Sequence, residues 1–130
     1  LALFEVTSRG NAVLRDLGYD AGDDSEGIVH KFWKNRIAEY YKNKGYDVLV
    51  EEHINGKPDI ILISSGKKTA VEIETGASDF MKNIERDLKA FDETICIAVD
   101  KITEDKIRTS VEEKGLASRV ALTSASAFIV

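Results

Sequence analysis

The chain has 130 residues, of which 43% are hydrophobic and 32% charged, so it has the size and composition of one compact domain. No apolar run approaches the roughly 18 residues of a membrane span, which argues against a membrane-spanning helix. The first residues are not a positively charged leader, which argues against a signal peptide. The formal net charge of −5 argues against a protein that binds nucleic acid with its whole surface.

The first 27 residues differ in charge from the segment that follows them. Residues 1–27 carry two arginines against six carboxylates, whereas residues 28–45 carry five basic side chains against one glutamate. A short helix that ends near Gly18, followed by a Gly- and Asp-rich linker, is predicted for the acidic segment. Because the chain begins with Leu1 and not with an initiator methionine, we expect that it is an excised domain; processing or missing residues are the alternative explanations. Residues 1–27 would then be the tail of an upstream domain, and residues 28–130 an α/β domain.

Hydrophobic periodicity divides the remaining chain into helices and strands. Helices are predicted over about residues 28–44, 79–90 and 103–114, and strands over 46–52, 56–63, 69–76, 94–99 and 119–123. Ser78 is the predicted N-cap of the second helix. In this order the later crossovers imply parallel pairing, and the hairpin implies antiparallel pairing. We therefore expect an α/β fold with a central mixed sheet of four to five strands flanked by helices.

Apolar positions predict which side chains enter the core. In the first helix the residues expected to face the sheet are Val29, Trp33, Ile37, Tyr40 and Tyr41. The single cysteine, Cys96, lies in an apolar strand and is interpreted as a small buried hydrophobic side chain. Without a disulfide framework, an intracellular and cytoplasmic setting is expected.

The predicted hairpin carries an unusual group of acidic side chains. Asp59 opens one strand, and Glu72 and Glu74 lie two apart near the end of the other, so the two glutamates share one face. With a turn centred near Gly66, Asp59 lies almost directly across from Ile73 and Glu74. Carboxylates this close repel unless a cation neutralises them, and an all-oxygen set suits Mg²⁺ or Mn²⁺. Alternatively, the glutamates lie on a solvated edge and Asp59 only begins a strand.

Three sequence motifs follow one another around this hairpin. A helix ends at Lys44-Gly45-Tyr46, Pro58-Asp59 opens one strand, and Glu72-Ile73-Glu74 ends the next. This arrangement, which extends over roughly residues 28–100, resembles the PD-(D/E)XK nuclease superfamily. The Glu-Ile-Glu-Thr-Gly run also looks like that of archaeal members. The resemblance implies a restriction-endonuclease-like core.

The same resemblance implies a metal-dependent endonuclease that acts on DNA. Asp59 and Glu72 would hold Mg²⁺ or Mn²⁺, with the carbonyl of Ile73 completing the shell, and activated water would attack phosphorus in line. The usual motif ends in lysine, whereas this chain has Glu74, which would orient water or bind a second metal. Lys82, early in the following helix, would then offset the charge.

The helix before the hairpin also departs from the family pattern. The position where members usually carry a glutamate holds Lys34 or Asn35. His30, one turn earlier, would point toward the site or contact phosphate, and a capping or solvated role is the alternative. With Lys31, Lys34 and Arg36 it forms the predicted nucleic-acid-binding face, unless these side chains only solvate the helix.

Two hypotheses about function follow. The first is metal-dependent hydrolysis of phosphodiester bonds in DNA. The second is a catalytically inactive nuclease-like domain that binds DNA or a protein partner in a larger assembly, which the absent lysine and helix glutamate favour. A homodimer and an upstream DNA-binding or ATPase domain are further partners that the resemblance allows, and no membrane partner is expected.

Overall fold

The computed structural model describes residues 27–51 and 57–129, which form a five-stranded sheet and three helices. The strands are β1 (Asp47–Val50), β2 (Ile60–Ser64), β3 (Lys67–Glu74), β4 (Glu93–Ala98) and β5 (Val120–Ser124). The helices are α1 (Ile28–Asn43), α2 (Phe80–Leu88) and α3 (Lys101–Glu113), and a 3₁₀ helix covers Ala125–Phe128. The helix and acidic linker predicted before Gly27 lie outside the described residues.

The sheet is mixed, with the strands in the order β1-β2-β3-β4-β5. β2 pairs antiparallel with β1 and β3, whereas β4 pairs parallel with β3 and β5. Two parallel neighbours cannot be joined by a tight turn, so α2 and α3 provide the crossovers. The predicted α/β class, with a mixed sheet flanked by helices, is confirmed. The narrower assignment to a restriction-endonuclease-like core stays a prediction.

One apolar layer lies between α1 and the sheet. Trp33 and Ile37 of α1 are fully buried and pack in one cluster with Leu62, Ile73 and other strand residues. The prediction that Tyr40 also faces the sheet was wrong, since this residue is 36% exposed. It lies at the rim, where its ring meets those of its neighbour Tyr41 and of Phe128 edge to face.

The second apolar layer lies on the opposite face, beneath α2 and α3. Ile84 and Ile107 supply the fully buried helix side chains, and Cys96 and Ala98 supply those of β4. The predicted burial of Cys96 is confirmed, and burial raises the pKa of its thiol. No helix within the described ranges is long and apolar enough to cross a bilayer.

A two-residue turn closes the β2–β3 hairpin and sets its register. Ser65 and Gly66 have φ angles of 52° and 78°, the left-handed conformation of both central residues in a type I′ turn. Ile60 pairs with Val71, so the next position places Asp59 opposite Glu72. The predicted register, with Asp59 across from residues 73 and 74, was therefore wrong. The turn is centred between Ser65 and Gly66 and not on Gly66.

Replacing Gly66 by alanine tests this turn. A Cβ at positive φ is strained, so we expect Gly66→Ala to lower the free energy of unfolding by about 1 kcal/mol. Ser65→Gly is the matched control and should leave stability unchanged or slightly higher, because glycine tolerates the same conformation. Urea unfolding followed by circular dichroism measures both. Equal stability of Gly66→Ala and the wild type would contradict the turn assignment.

Candidate active site

Asp59 lies where β2 and β3 separate. The β2–β3 ladder extends only to Ile60 and Val71, and beyond it the N–H of Ile73 donates to Oδ2 of Asp59 at 2.8 Å. The other carboxylate oxygen, Oδ1, lies 3.2 Å from Nε2 of His30 in the first turn of α1. The buried Asp59 side chain therefore joins the end of β3 to α1.

Glu72 is buried in β3 beside a cation and a second carboxyl group. Glu72 is only 3% exposed, and its Oε2 accepts a hydrogen bond of 2.9 Å from Nη2 of Arg86 in α2. The same Arg86 nitrogen lies 2.9 Å from Oδ1 of the buried Asp87. Burial raises the pKa of Glu72, the neighbouring Asp87 side chain and the charge of Asp59 raise it further, and the charge of Arg86 lowers it.

Glu72 and Asp87 are two buried carboxyl groups that share one cation, Arg86. Asp87 is 1% exposed, and its Oδ2 has no hydrogen-bond partner within the described part of the chain. The raised pKa of Glu72 favours its protonated form, which reduces the negative charge beside Arg86. An unmatched carboxylate at this depth would carry a large desolvation cost.

Glu74, the second buried glutamate of β3, is held by hydroxyl and amide groups. It is 1% exposed, and Oε2 accepts a hydrogen bond from the hydroxyl of Ser78. Burial raises the pKa of Glu74 and the charge of Asp59 adds to this effect, whereas hydrogen bonds from Ser78 and Asn83 and the charge of His30 lower it. The Asp59 carboxylate thus influences both glutamates, as expected for three acids at one end of the hairpin.

α2 connects the two glutamates through its polar face. Asn83 hydrogen-bonds to Glu74, and its Oδ1 accepts from Nη1 of Arg86 at 3.3 Å. Arg86 in turn contacts Glu72. The carboxylates of β3 are therefore linked by one network of side chains, whose members Asn83 and Arg86 are three residues apart on the same side of the helix.

The loop between β3 and α2 differs from its prediction. Asp79, and not Ser78, caps α2, because its side chain accepts from the backbone N–H of Lys82 at 3.2 Å. The hydroxyl of Ser78 binds Glu74 instead. Gly76 has a φ of 97°, and a Cβ there would lie 3.0 Å from Oγ1 of Thr103. Glycine is therefore required at this position, where the chain leaves β3.

Arg86 supplies the cation that sequence reasoning assigned to Lys82. The side chain of Lys82 is exposed on α2 and has no hydrogen bond or ion pair with the carboxylates in the described structure. Arg86 lies one helical turn further along and reaches Glu72. The helical spacing of basic residues was the available signal, but spacing alone does not indicate which of them reaches the sheet.

The basic side chains of α1 take structural roles. Nζ of Lys34, a residue only 6% exposed, donates to the carbonyl oxygen of Glu51 at 2.9 Å, and Nε of Arg36 donates to the carbonyl oxygen of Phe128 at 3.1 Å. Lys31 is exposed and also has an interaction partner. These contacts fasten α1 to neighbouring segments, and the nucleic-acid contacts of this helix stay a prediction.

The donor atoms fit a hard divalent cation in their chemistry. Asp59, Glu72, Glu74 and the carbonyl of Ile73 offer the oxygen ligands that Mg²⁺ and Mn²⁺ accept. Over residues 27–51 and 57–129, however, no three His, Cys, Asp or Glu side chains are placed to hold a metal ion together. Binding of an ion by Glu72 would require exchange of its contact with Arg86, and binding by Oδ1 of Asp59 would compete with the contact to His30.

The chain matches no protein-family model, no curated protein and no solved structure. The geometry of the three hairpin carboxylates and their α2 partners is therefore the basis on which a function is proposed.

The raised pKa of Glu72 predicts how stability depends on pH. A carboxyl group that binds its proton more tightly in the folded state loses its stabilising contribution as the pH rises above its unfolded value of about 4.5. In metal-free buffer the wild type should therefore lose more unfolding free energy than Glu72→Gln between about pH 5 and about pH 8. Urea unfolding at both pH values measures the difference.

Glu113→Gln is the matched control for this comparison. Glu113 is exposed at the end of α3, so its replacement should leave the pH dependence of the wild type intact. An identical pH dependence of Glu72→Gln and the wild type would show that Glu72 does not hold a proton in the folded protein.

Proposed function

We propose that the chain is a metal-dependent nuclease domain that hydrolyses phosphodiester bonds in DNA. The observation that supports this proposal best is the burial of Glu72 and Glu74 in the central strand, beside Asp59. Strongly shifted carboxyl groups in a shared network are a common feature of catalytic sites. Such groups contribute little to the stability of a hydrophobic sheet, since burial of apolar residues of similar volume has a lower free-energy cost.

Asp59 would be the main fixed ligand of a Mg²⁺ or Mn²⁺ ion. The N–H of Ile73 already orients its carboxylate at 2.8 Å, so little conformational freedom is lost when it binds a cation. Glu72 and the Ile73 carbonyl would complete the protein ligands. When bound, the ion would act as a Lewis acid toward the scissile phosphate.

Glu74 would position and deprotonate the attacking water. Burial raises its pKa, which makes its carboxylate a stronger base than a solvated glutamate. The hydrogen bonds from Ser78 and Asn83 hold its side chain in one orientation while it accepts the proton. This role takes the place of the lysine of the usual motif.

Arg86 would stabilise the charge that develops on the phosphate. Its side chain is 30% exposed, so the guanidinium group is accessible from solvent while it touches Glu72. An ion that takes its place at Glu72 would leave Arg86 free to donate to phosphate oxygens, which it can do with two nitrogens. Lys82, the cation expected from the sequence, lies one helical turn before Arg86 and would contact the DNA from the same side of α2.

Metal binding and cleavage test the proposal together. We expect calorimetry to detect Mg²⁺ or Mn²⁺ binding to the wild type, and we expect the metal to support nicking of plasmid DNA. Asp59→Asn keeps an acceptor for the N–H of Ile73 but removes the charge, so binding and nicking should both fall sharply. Asp105→Asn, on the exposed side of α3, is the control and should behave as the wild type.

Either of two results would contradict the assignment. Absence of metal binding at millimolar concentrations would exclude the carboxylates as a metal centre. Binding that is unchanged in Asp59→Asn would place the ion elsewhere in the chain.

The pairing of Arg86 with Glu72 favours a second candidate function, a catalytically inactive nuclease-like domain that binds DNA or a protein partner. In this alternative Arg86 is the permanent cation of the site, and no metal replaces it. Its contacts of 2.9 Å with both Glu72 and Asp87 are those of a structural ion-pair network.

Stability measurements on Arg86→Met distinguish the two candidates. Removal of the cation leaves two buried carboxyl groups unmatched, and we expect a loss of about 3 kcal/mol in the free energy of unfolding in metal-free buffer. A metal centre predicts that Mg²⁺ or Mn²⁺ restores part of this loss, because the ion supplies the missing charge. No recovery would favour the inactive domain. Arg108→Met, in an exposed ion-pair cluster of α3, is the control and should respond little to either condition.

A further inference from the structure

A shallow groove with a volume of about 570 Å³ runs beside α2. Four basic side chains and two acidic ones line it: Lys82, Arg86, Lys89, Lys114, Asp79 and Glu85. Since the chain as a whole carries a net charge of −5, a groove with this excess of basic residues is a local exception. Such local clusters, and not the total charge, decide where phosphates bind.

The two carboxylates of the groove already have partners. Asp79 caps α2 by accepting from the backbone N–H of Lys82, and Glu85 forms an ion pair of 3.1 Å with Lys114. No carboxylate contacts the ammonium groups of Lys82 and Lys89 among the residues that the structure describes. The groove therefore presents these two charges to an external anion.

The basic residues of α2 and of its C-cap, Lys89, are spaced as one stripe. Lys82, Arg86 and Lys89 are four and three residues apart, so they lie on the same side of the helix. Lys82 and Lys89 are separated by seven residues, or about 10 Å along the axis. A DNA strand rises about 3.4 Å per nucleotide, so the stripe extends over about three phosphates.

Arg86 connects this stripe to the carboxylates. It lines the groove, and its Nη2 lies 2.9 Å from Oε2 of Glu72. A strand held along the groove would therefore pass directly beside the buried glutamates of β3. On α1, by contrast, Lys34 and Arg36 are bound to backbone carbonyls, which leaves that helix less suited to phosphate.

We infer that the groove beside α2 is the binding site for the phosphate backbone of the DNA strand, with Lys82 and Lys89 as its phosphate-contacting residues. The inference rests on the proposed nuclease function, since it takes DNA as the ligand. It goes further by placing the strand on α2 and not on α1. Arg86 marks the point at which the strand meets the candidate active site.

Salt-dependent DNA binding tests this inference. The affinity of the full chain for a short fluorescein-labelled DNA duplex is measured by anisotropy, in EDTA to prevent cleavage, at several salt concentrations. Each phosphate contact that is lost lowers the slope of log affinity against log salt by about 0.9. We expect the double variant, Lys82→Gln with Lys89→Gln, to lose about two phosphate contacts. Its slope should fall by the corresponding amount, and it should bind DNA more weakly than the wild type.

Lys42→Gln with Lys106→Gln is the matched control. Both lysines are exposed, lie on α1 and α3, and are absent from the groove, so this variant has the same net charge as the groove variant. The inference predicts the wild-type slope for the control. Equal losses in both variants, an unchanged slope in the groove variant, or no DNA binding by the wild type would overturn it. All four lysines are exposed, and circular dichroism verifies that each variant is folded.

Cleavage assays on the same proteins separate this inference from the proposed function. Metal-dependent nicking by the wild type, combined with unaltered DNA binding by the groove variant, would refute the groove and leave the nuclease function in place. DNA binding that depends on Lys82 and Lys89, without nicking in Mg²⁺ or Mn²⁺, would support the groove and refute catalysis.

Discussion

The burial of two glutamates in the central strand is the constraint on which the rest of the candidate site depends. Glu72 and Glu74 are nearly inaccessible to water on the face of β3 that α2 and α3 cover. A charge in this environment loses most of its hydration, so each carboxyl group needs a proton, a hydrogen-bond donor or a cation. Ser78 before α2 and Asn83 within it donate hydrogen bonds to Glu74, and Arg86 supplies the cation beside Glu72.

In the proposed nuclease, this arrangement would set stability against metal binding. With Arg86 at Glu72 the charges are matched, and the domain needs no ion to fold. An ion that binds Glu72 must displace the Arg86 side chain, and the free-energy cost of this displacement lowers the net binding free energy of the ion. Metal affinity would then be modest, and a DNA strand that binds Arg86 through its phosphates would raise it. Substrate and metal would in this way bind cooperatively at Glu72, because each favours the state in which Arg86 has left.

The sequence predicts the order of the helices and strands but not the side-chain contacts between them. The order of helices and strands followed from periodicity, and the shared face of Glu72 and Glu74 followed from their spacing. The hairpin register was missed by one residue because Ser65, an ordinary residue, adopts a positive φ. The sequence does not indicate the role of Arg86, because Lys82 and Arg86 lie one helical turn apart and only the packing of α2 decides which of them reaches the sheet. The sequence predicts a surface cation at Lys34, because its partner is the backbone carbonyl of Glu51, and a backbone partner cannot be identified from residue types.

In the proposed site, the carboxylates around the end of β3 bind a cation, and metal and Arg86 exclude each other at Glu72. Anomalous diffraction from crystals soaked in Mn²⁺ tests this exclusion most directly, because the signal locates the ion without reference to activity. We expect an anomalous peak between Asp59 and Glu72, with the Arg86 side chain displaced from Glu72. A peak elsewhere, or an Arg86–Glu72 contact that persists at saturating Mn²⁺, would contradict it.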